Sequence, residues 1–257
     1  MKSLSFAARS VLALGLLLAV GGSARAGNPT EFLAGYIKNC PGCDLASANL
    51  KRFDLTGADL GGANLANAVL HRAVLTGANL AGANLAGANL NKADLRRANL
   101  AGAQLPRTML FEADLSRADL RRADFTGAMM GSNRLTLAIL EGAKIVDTDL
   151  ADAQMHGAKL RDADLSRSDL SQATLRRAEL RGARLEACGL VRADLKGADL
   201  SGADLRTADL MRADLTGADL SGAQLDGARL LLANLTEAKL DDAGLAGAIM
   251  PDGTTHP

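Results

Sequence analysis

Two cysteines close together, Cys40 and Cys43, are the side chains of this sequence best suited to chemistry. A Cys-x-x-Cys pair can serve as a disulfide, as a redox centre or as half of a zinc site. The chain has no second such pair and no histidine near this one, which makes zinc the weakest interpretation. We predict that the pair is structural, as a disulfide or as two packed side chains, and we keep a thiol-disulfide redox role as an alternative.

Carboxylates form a second pattern, because aspartates recur at every fifth position near the C-terminus. The series consists of Asp194, Asp199, Asp204, Asp209, Asp214 and Asp219. If the fold brings some of these carboxylates within a few ångströms of one another, their negative charges repel, and a bound cation could relieve that repulsion. A solvated acidic face that pairs with nearby lysines and arginines is the simpler prediction.

The histidines do not indicate catalysis. His71, His156 and His256 are widely separated in the sequence, and no Ser-His-Asp arrangement, phosphate-binding loop or metal-ligand cluster accompanies them. A chain with so few catalytic residue types is not expected to be an enzyme. We therefore predict no catalytic residue, no cofactor and no metal site.

A repeat of five residues dominates the rest of the chain. Leucine or another large apolar residue stands at every fifth position from Leu45 to Met250, which makes 42 positions, 37 of them leucine. Alanine stands two residues earlier in 35 of the 42 cases. A five-residue period gives no stripe on an α-helix, and on a straight strand it would alternate faces. Each pentad must therefore hold a short extended piece followed by a corner, and glycine, frequent two residues after the leucine, suits such a corner.

Pentads such as Ala78-Asn79-Leu80-Ala81-Gly82 and Ala198-Asp199-Leu200-Ser201-Gly202 resemble the motif of the pentapeptide-repeat family. The resemblance runs from Cys43 to about Met250. It implies an all-β fold, a right-handed quadrilateral β-helix with four pentads in each coil, in which the leucine and the alanine point inward. A rod of about ten coils spaced about 4.8 Å apart would be about 50 Å long.

An apolar ladder is the best candidate for a partner surface. Val191, Met211 and Leu231 are twenty residues apart, so four pentads to a coil would stack them at one outward position. Met109 and Met129 make a second stacked pair. Exposed apolar stripes on soluble proteins often mark contact surfaces. We predict that Val191, Met211 and Leu231 contact a protein partner.

The first 26 residues have the pattern of a secretory signal peptide. Lys2 and Arg9 precede the apolar run of residues 11–20, and a small-x-small site ends at Ala26. We predict cleavage after Ala26 and a periplasmic or secreted protein with no membrane partner after cleavage. The remaining chain has 26 basic and 29 acidic residues, which gives no case for nucleic-acid binding.

The predicted organisation is a leader over residues 1–26, an N-terminal cap with a short helix over 27–42, the β-helix over 43–250 and a tail over 251–257. Asn28 and Pro29 begin the helix, because one suits the capping position and the other the first turn. The tail shows no helix that would cover the last coil, so we predict either fraying or a homodimer contact there.

The predicted function is that of an exported, non-enzymatic interaction or scaffold protein. The family resemblance adds one alternative, since some members mimic DNA and bind DNA gyrase. A leader peptide and a nearly balanced charge argue against that role here. The thiol-disulfide role of Cys40 and Cys43 is the other alternative.

Overall fold

The computed structural model describes residues 28–257. The predicted leader, residues 1–26, and its cleavage site lie outside the described residues. Among residues 28–257, no helix has both the length and the apolar character that crossing a bilayer requires.

Parallel β-bridges hold the repeats together. Each residue just before an inward leucine pairs with the residue twenty positions later, beginning with Asp44 and Asn64 and ending with Arg229 and Ile249. Four pentads therefore complete one coil, and the register does not slip over the whole array. The predicted quadrilateral β-helix is confirmed. We number its sides 1 to 4, beginning with the pentads of Leu45, Leu50, Leu55 and Leu60, and give each corner the number of the side that it follows.

Every corner is a tight turn with the same backbone geometry. At all but one corner, the amide of the residue after the turn donates to the carbonyl of the inward residue before it, as Ala48 donates to Leu45 at 3.0 Å. At the exception, the amide of Thr148 donates to the hydroxyl of Ser168 at 3.0 Å. The second turn residue has a positive φ at every fifth position from Gly42 to Gly247, the pattern of a type II turn. At 25 of these corners that residue is not glycine, and arginine is the commonest of the others.

The interior is a narrow column of leucine and alanine. From Ala58 to Leu230, nearly all the inward apolar side chains have less than 2% of their surface exposed. Each layer rests on an identical layer above and below, so successive coils bury one another's apolar surface, as expected for a solenoid. Among residues 28–257, polar residues occupy four of the inward sites: Thr108, Asn133, Thr148 and Ser168.

The N-terminal segment begins with one helix, α1 (Pro29–Leu33), whose N-terminus is capped by the side chain of Asn28. Phe32 on α1 is buried against the start of the rod. Cys40 already belongs to the first coil, because its amide donates to the carbonyl of Asp59 at 2.7 Å. The first coil therefore begins three residues before the predicted boundary at Cys43.

The C-terminal residues fold back on the last coil. Thr255 pairs antiparallel with Ile249, and the amide of His256 donates to the carbonyl of Ala248 at 2.8 Å. This hairpin covers side 2 of the last coil. On the other three sides Leu235, Leu240 and Leu245 remain only partly buried. Among residues 28–257, the backbone amides of these three leucines have no hydrogen-bond partner.

Candidate interaction surfaces

The bulky apolar residues of the turns are concentrated on one corner. Because the register never slips, residues twenty apart lie above one another along each of the four corners. Seven turn positions of the repeat array hold Val, Leu, Met or Phe, and five of these lie on corner 2. The five are Phe111, Val191, Met211, Leu231 and Leu232. Of the other two, Val146 on corner 1 is buried and Leu137 on corner 3 is exposed.

The predicted partner residues therefore fall in one column near the C-terminal end. Val191, Met211 and Leu231 are half-buried, and Leu232 beside them is 56% exposed. The guanidinium of Arg229 lies 3.1 Å from the sulphur of Met211. The hairpin extends the column, since the amide of Leu232 donates to the carbonyl of Pro251 at 3.0 Å. We call these four residues, Val191, Met211, Leu231 and Leu232, the apolar edge.

The second predicted pair lies beside the same corner. Met109 and Met129 are paired neighbours on side 2, and Met129 is 49% exposed. Phe111 lies next to them on corner 2 and is 45% exposed. The structure thus brings this pair close to an exposed aromatic ring that the sequence reasoning did not connect with it.

Cations form the N-terminal part of corner 2, a feature that the sequence reasoning missed. The residues are Lys51, Arg52, His71, Arg72 and Lys92, which we call the basic edge. They were missed because basic residues occur in the turns of all four corners, and only the fold shows that these five are stacked in three successive coils. Within the described chain, Lys51, Arg52 and Arg72 make no ion pair, and Lys92 pairs with Glu112 at 3.1 Å. Partial burial and the charges of the four surrounding cations lower the pKa of His71.

The aspartates before the leucines have a structural role. Their carboxylates accept the backbone amide two residues on, which closes the turn from the side chain, as Ser201 donates to Asp199 at 3.0 Å. Five of the six aspartates of the predicted series also pair with a cation, among them Asp214 with Lys196 at 2.9 Å. The arrangement favours the solvated and paired acidic face over a cation site. No cluster of metal-binding side chains is found among residues 28–257.

Cys40 and Cys43 form a disulfide, with their Cα atoms 5.4 Å apart. Both are buried, at 0% and 2% exposure, and Cys40 stands where later coils carry leucine. Cys188 is a buried free thiol, and desolvation raises its pKa. Because the sulphurs of Cys40 and Cys43 are buried, an exchanging thiol has little access to them, and the geometry of this disulfide suits a structural bond.

Open cavities lie along corner 3, along corner 4 and beside α1 on the described surface, and the last two have the larger volumes. One, of about 860 Å³, follows corner 4 between Arg121, Arg122, Glu141, Arg161 and Asp162. The other, of about 590 Å³, lies between α1 and the first coil and is lined largely by apolar side chains. His71 and His156 lie on adjacent corners, several coils apart, and the structure does not bring them together.

The chain matches the family model described as pentapeptide repeats in overlapping segments between residues 43 and 250, with a gap at residues 128–152. Among solved structures it is similar to HetL from the cyanobacterium Nostoc sp. strain PCC 7120, described as involved in the regulation of heterocyst differentiation. That match has 34% identity and a TM-score of 0.72, and covers 88% of this chain and 97% of HetL.

Two further structures are similar over less of the fold. Alr5209, a pentapeptide repeat protein from Nostoc PCC 7120, is 46% identical over 30% of this chain and 63% of its own, with a TM-score of 0.29. QnrB1, described as a plasmid-mediated fluoroquinolone resistance protein, is 22% identical over 79% of this chain and 91% of its own, with a TM-score of 0.40. The search of curated proteins returned no match.

Proposed function

Because the chain belongs to the pentapeptide-repeat family, whose members are generally structural or binding proteins, we propose that it is a non-enzymatic interaction or scaffold protein. One observation carries the proposal: five of the seven bulky apolar turn residues lie on corner 2. The repeat itself makes the four corners equivalent, so this concentration is not needed for folding. The description of HetL as a regulatory protein is consistent with a role exercised through contacts.

The proposed protein contact is the apolar edge. Three half-buried apolar side chains and the exposed Leu232 in one straight column offer a partner a continuous surface from which water can be excluded. The contact is tested by replacing Met211 and Leu231 with lysine and isolating partners by cross-linking in cells. We expect the double variant to lose the partner while the circular dichroism spectrum stays unchanged.

The control is Leu137→Lys, which places one lysine at an exposed apolar position on corner 3. This control should keep the partner. If the Met211 and Leu231 variant retains the cross-linked partner, or if the control loses it equally, the apolar edge is not the contact.

We also propose that the protein is exported to the periplasm or the medium. The proposal rests on the pattern of residues 1–26, with their basic start, apolar run and small-residue cleavage site. Cell fractionation followed by mass spectrometry of the N-terminus tests it. A start at Gly27 outside the cytoplasm supports export, and an intact Met1 in the cytoplasm rules it out.

The gyrase-binding alternative finds little support in the charges of the rod. A DNA mimic needs unneutralised negative charge along its length, whereas ten of the 23 aspartates, including five of the six from Asp194 to Asp219, pair with Lys or Arg. Corner 2 carries positive charge over its first three coils. We expect no inhibition or protection of purified gyrase at micromolar protein in a supercoiling assay; either effect would revive the alternative.

The C-terminal end supports a second proposal, contact with another copy of the chain. Leu235, Leu240 and Leu245 are partly exposed there, and their amides have no partner within residues 28–257. An open sheet edge beside apolar side chains can pair with the same edge of a second rod. Light scattering should show a dimer that Leu240→Asp converts to a monomer. A wild-type monomer at every accessible concentration excludes this contact.

A further inference from the structure

We propose that the basic edge binds the surface of an anionic lipid membrane, holding the rod there without a membrane-spanning segment. This departs from the sequence-based expectation that the mature chain has no membrane partner. The inference concerns the N-terminal coils and does not depend on the apolar edge near the other end.

The first argument is the unneutralised charge of the basic edge. Elsewhere on the rod many arginines and lysines pair with an aspartate two or about twenty residues away, as Arg206 pairs with Asp204 at 2.7 Å. Beside the basic edge, the positions of side 2 that would supply such an acid hold Asn49, Val69 and Asn89 instead. The positive charge there is available to an external anion.

The nearest carboxylates cancel only part of this charge. Glu112 pairs with Lys92 at the lower end of the basic edge. On side 3, Asp94 is engaged by Arg96, and Asp54 accepts the amide of Thr56 at 3.0 Å. Lys51, Arg52 and Arg72 therefore remain without an acidic partner in the described chain.

The second argument is the apolar surroundings of the basic edge. At its N-terminal end, Leu33 is 42% and Tyr36 is 83% exposed. Both line the cavity of about 590 Å³ together with Phe53, the residue that follows Arg52. At its other end stands Phe111. Cations flanked by exposed aromatic and aliphatic side chains are the composition of surfaces that lie at the lipid–water boundary.

The third argument is the shape of the site and the state of its backbone. The basic residues stand on an outward corner, between sides 2 and 3. The backbone amides of Arg52, Arg72 and Lys92 are already paired with the next coil, so no strand can be added there. Only the side chains of the basic edge remain available to contact a partner. A straight row of long cations on a convex ridge contacts a flat anionic surface at several points at once.

The test uses the protein as it is recovered from cells, with its N-terminus read by mass spectrometry. It is sedimented with vesicles of 30% phosphatidylglycerol in phosphatidylcholine and with vesicles of phosphatidylcholine alone. Each cation at an anionic surface changes partitioning about fivefold. We expect the double substitution Lys51→Glu and Arg72→Glu to reduce binding to anionic vesicles by at least about tenfold. Binding to pure phosphatidylcholine should be weak throughout.

The matched control is Arg97→Glu with Arg177→Glu, which makes the same change of net charge with two arginines on corner 3. Neither arginine makes an ion pair among the described residues. Both double variants should keep the wild-type circular dichroism spectrum. The proposal is overturned if the control loses binding as strongly as the test variant, or if neither wild type nor control binds anionic vesicles. It is also overturned if the basic edge captures a polyglutamate peptide but not the vesicles, because the partner is then an acidic protein.

Discussion

Asn133 shows what a single polar residue does inside the rod. It occupies an inward site that alanine fills in most coils, and it is fully buried. Neither its amide nitrogen nor its oxygen has a hydrogen-bond partner within the described chain. Thr148, at another inward site, has found a partner and donates to the carbonyl of Phe125 at 2.8 Å. The two residues, which both stand where most pentads carry alanine, therefore have different energetic consequences.

We expect Asn133→Ala to raise the free energy of unfolding by about 1–2 kcal/mol, because an unsatisfied amide is removed from the core. Urea denaturation measures the change. Thr148→Ala is the control, since it removes a satisfied hydroxyl and should be neutral or destabilising. A loss of stability in Asn133→Ala would show that this side chain is satisfied in solution.

The second turn residue of each pentad carries a conformational demand. Gly82 has φ of +64°, and a Cβ added there would meet no atom within 4 Å. Substitution therefore tests backbone strain with little contribution from packing. We expect Gly82→Val to lower the free energy of unfolding by about 2 kcal/mol. Asparagine tolerates this conformation, so Gly82→Asn should change the free energy of unfolding by less than about 1 kcal/mol. Equal effects of the two variants in urea denaturation would contradict the strain argument.

Ion pairs within a pentad make the rod sensitive to acid. Hydrogen bonds from the guanidinium of Arg206 lower the pKa of Asp204 below its ordinary value, and Arg121 does the same for Asp119. A carboxyl with a lowered pKa in the folded state stabilises that state fully above its unfolded pKa, near 4. The contribution is lost as the pH falls through the folded pKa.

We therefore expect stability measured by urea denaturation to decline below about pH 4. The decline should be shallower in the double variant Asp119→Asn and Asp204→Asn, which no longer titrates at these two positions. A decline of the same steepness in wild type and variant would show that these two pairs do not contribute to it.

At the scale of the element, a C-terminal hairpin is found where the sequence predicted either fraying or a homodimer contact. Pro251–Pro257 carries no periodic pattern, so nothing in it predicts a strand; the pairing arises because the last coil offers open backbone groups. The hairpin covers Ala248, which is completely buried, but it leaves the other three sides of that coil uncovered.

Removing residues 252–257 should free the amides of Gly247 and Met250, which donate to His256 and Thr254. Hydrogen exchange measured by mass spectrometry should then show faster exchange over residues 245–250. Peptides of the central coils should be unchanged. Unaltered exchange at the end of the rod would indicate that the hairpin is not formed in solution.

The sequence predicts the coil well and its surfaces poorly, for a physical reason. Inward positions repeat every five residues because each coil must rest on an identical layer, so Leu45 to Met250 could be placed from the pattern alone. Outward positions follow no such rule. The column of Val191, Met211 and Leu231 was found because all three are apolar and twenty apart. Arg52 and Arg72 are also twenty apart, but basic residues occur in the turns of all four corners, so this spacing alone did not distinguish them.

At the scale of the whole molecule, the rod has four equivalent corners in its backbone and one distinct corner in its side chains. Corner 2 begins with the basic edge, continues through Phe111 and ends with the apolar edge beside the hairpin. A scaffold with different chemistry at the two ends of one edge can hold two kinds of surface at once. On this view, net charge and composition say little about function, because the informative feature is the alignment of side chains along the rod axis.

The most direct test of this view compares the four corners of one coil in living cells. A photo-cross-linking amino acid is placed in turn at Arg206 on corner 1, Met211 on corner 2, Thr216 on corner 3 and Ser221 on corner 4. All four positions are the first residue of a turn, so their backbone geometry is matched, and Met211, Thr216 and Ser221 are all half-buried. We predict a discrete cross-linked partner from Met211 and none, or far less, from the other three. Equal products from all four corners, or none from Met211, would contradict a contact surface on corner 2.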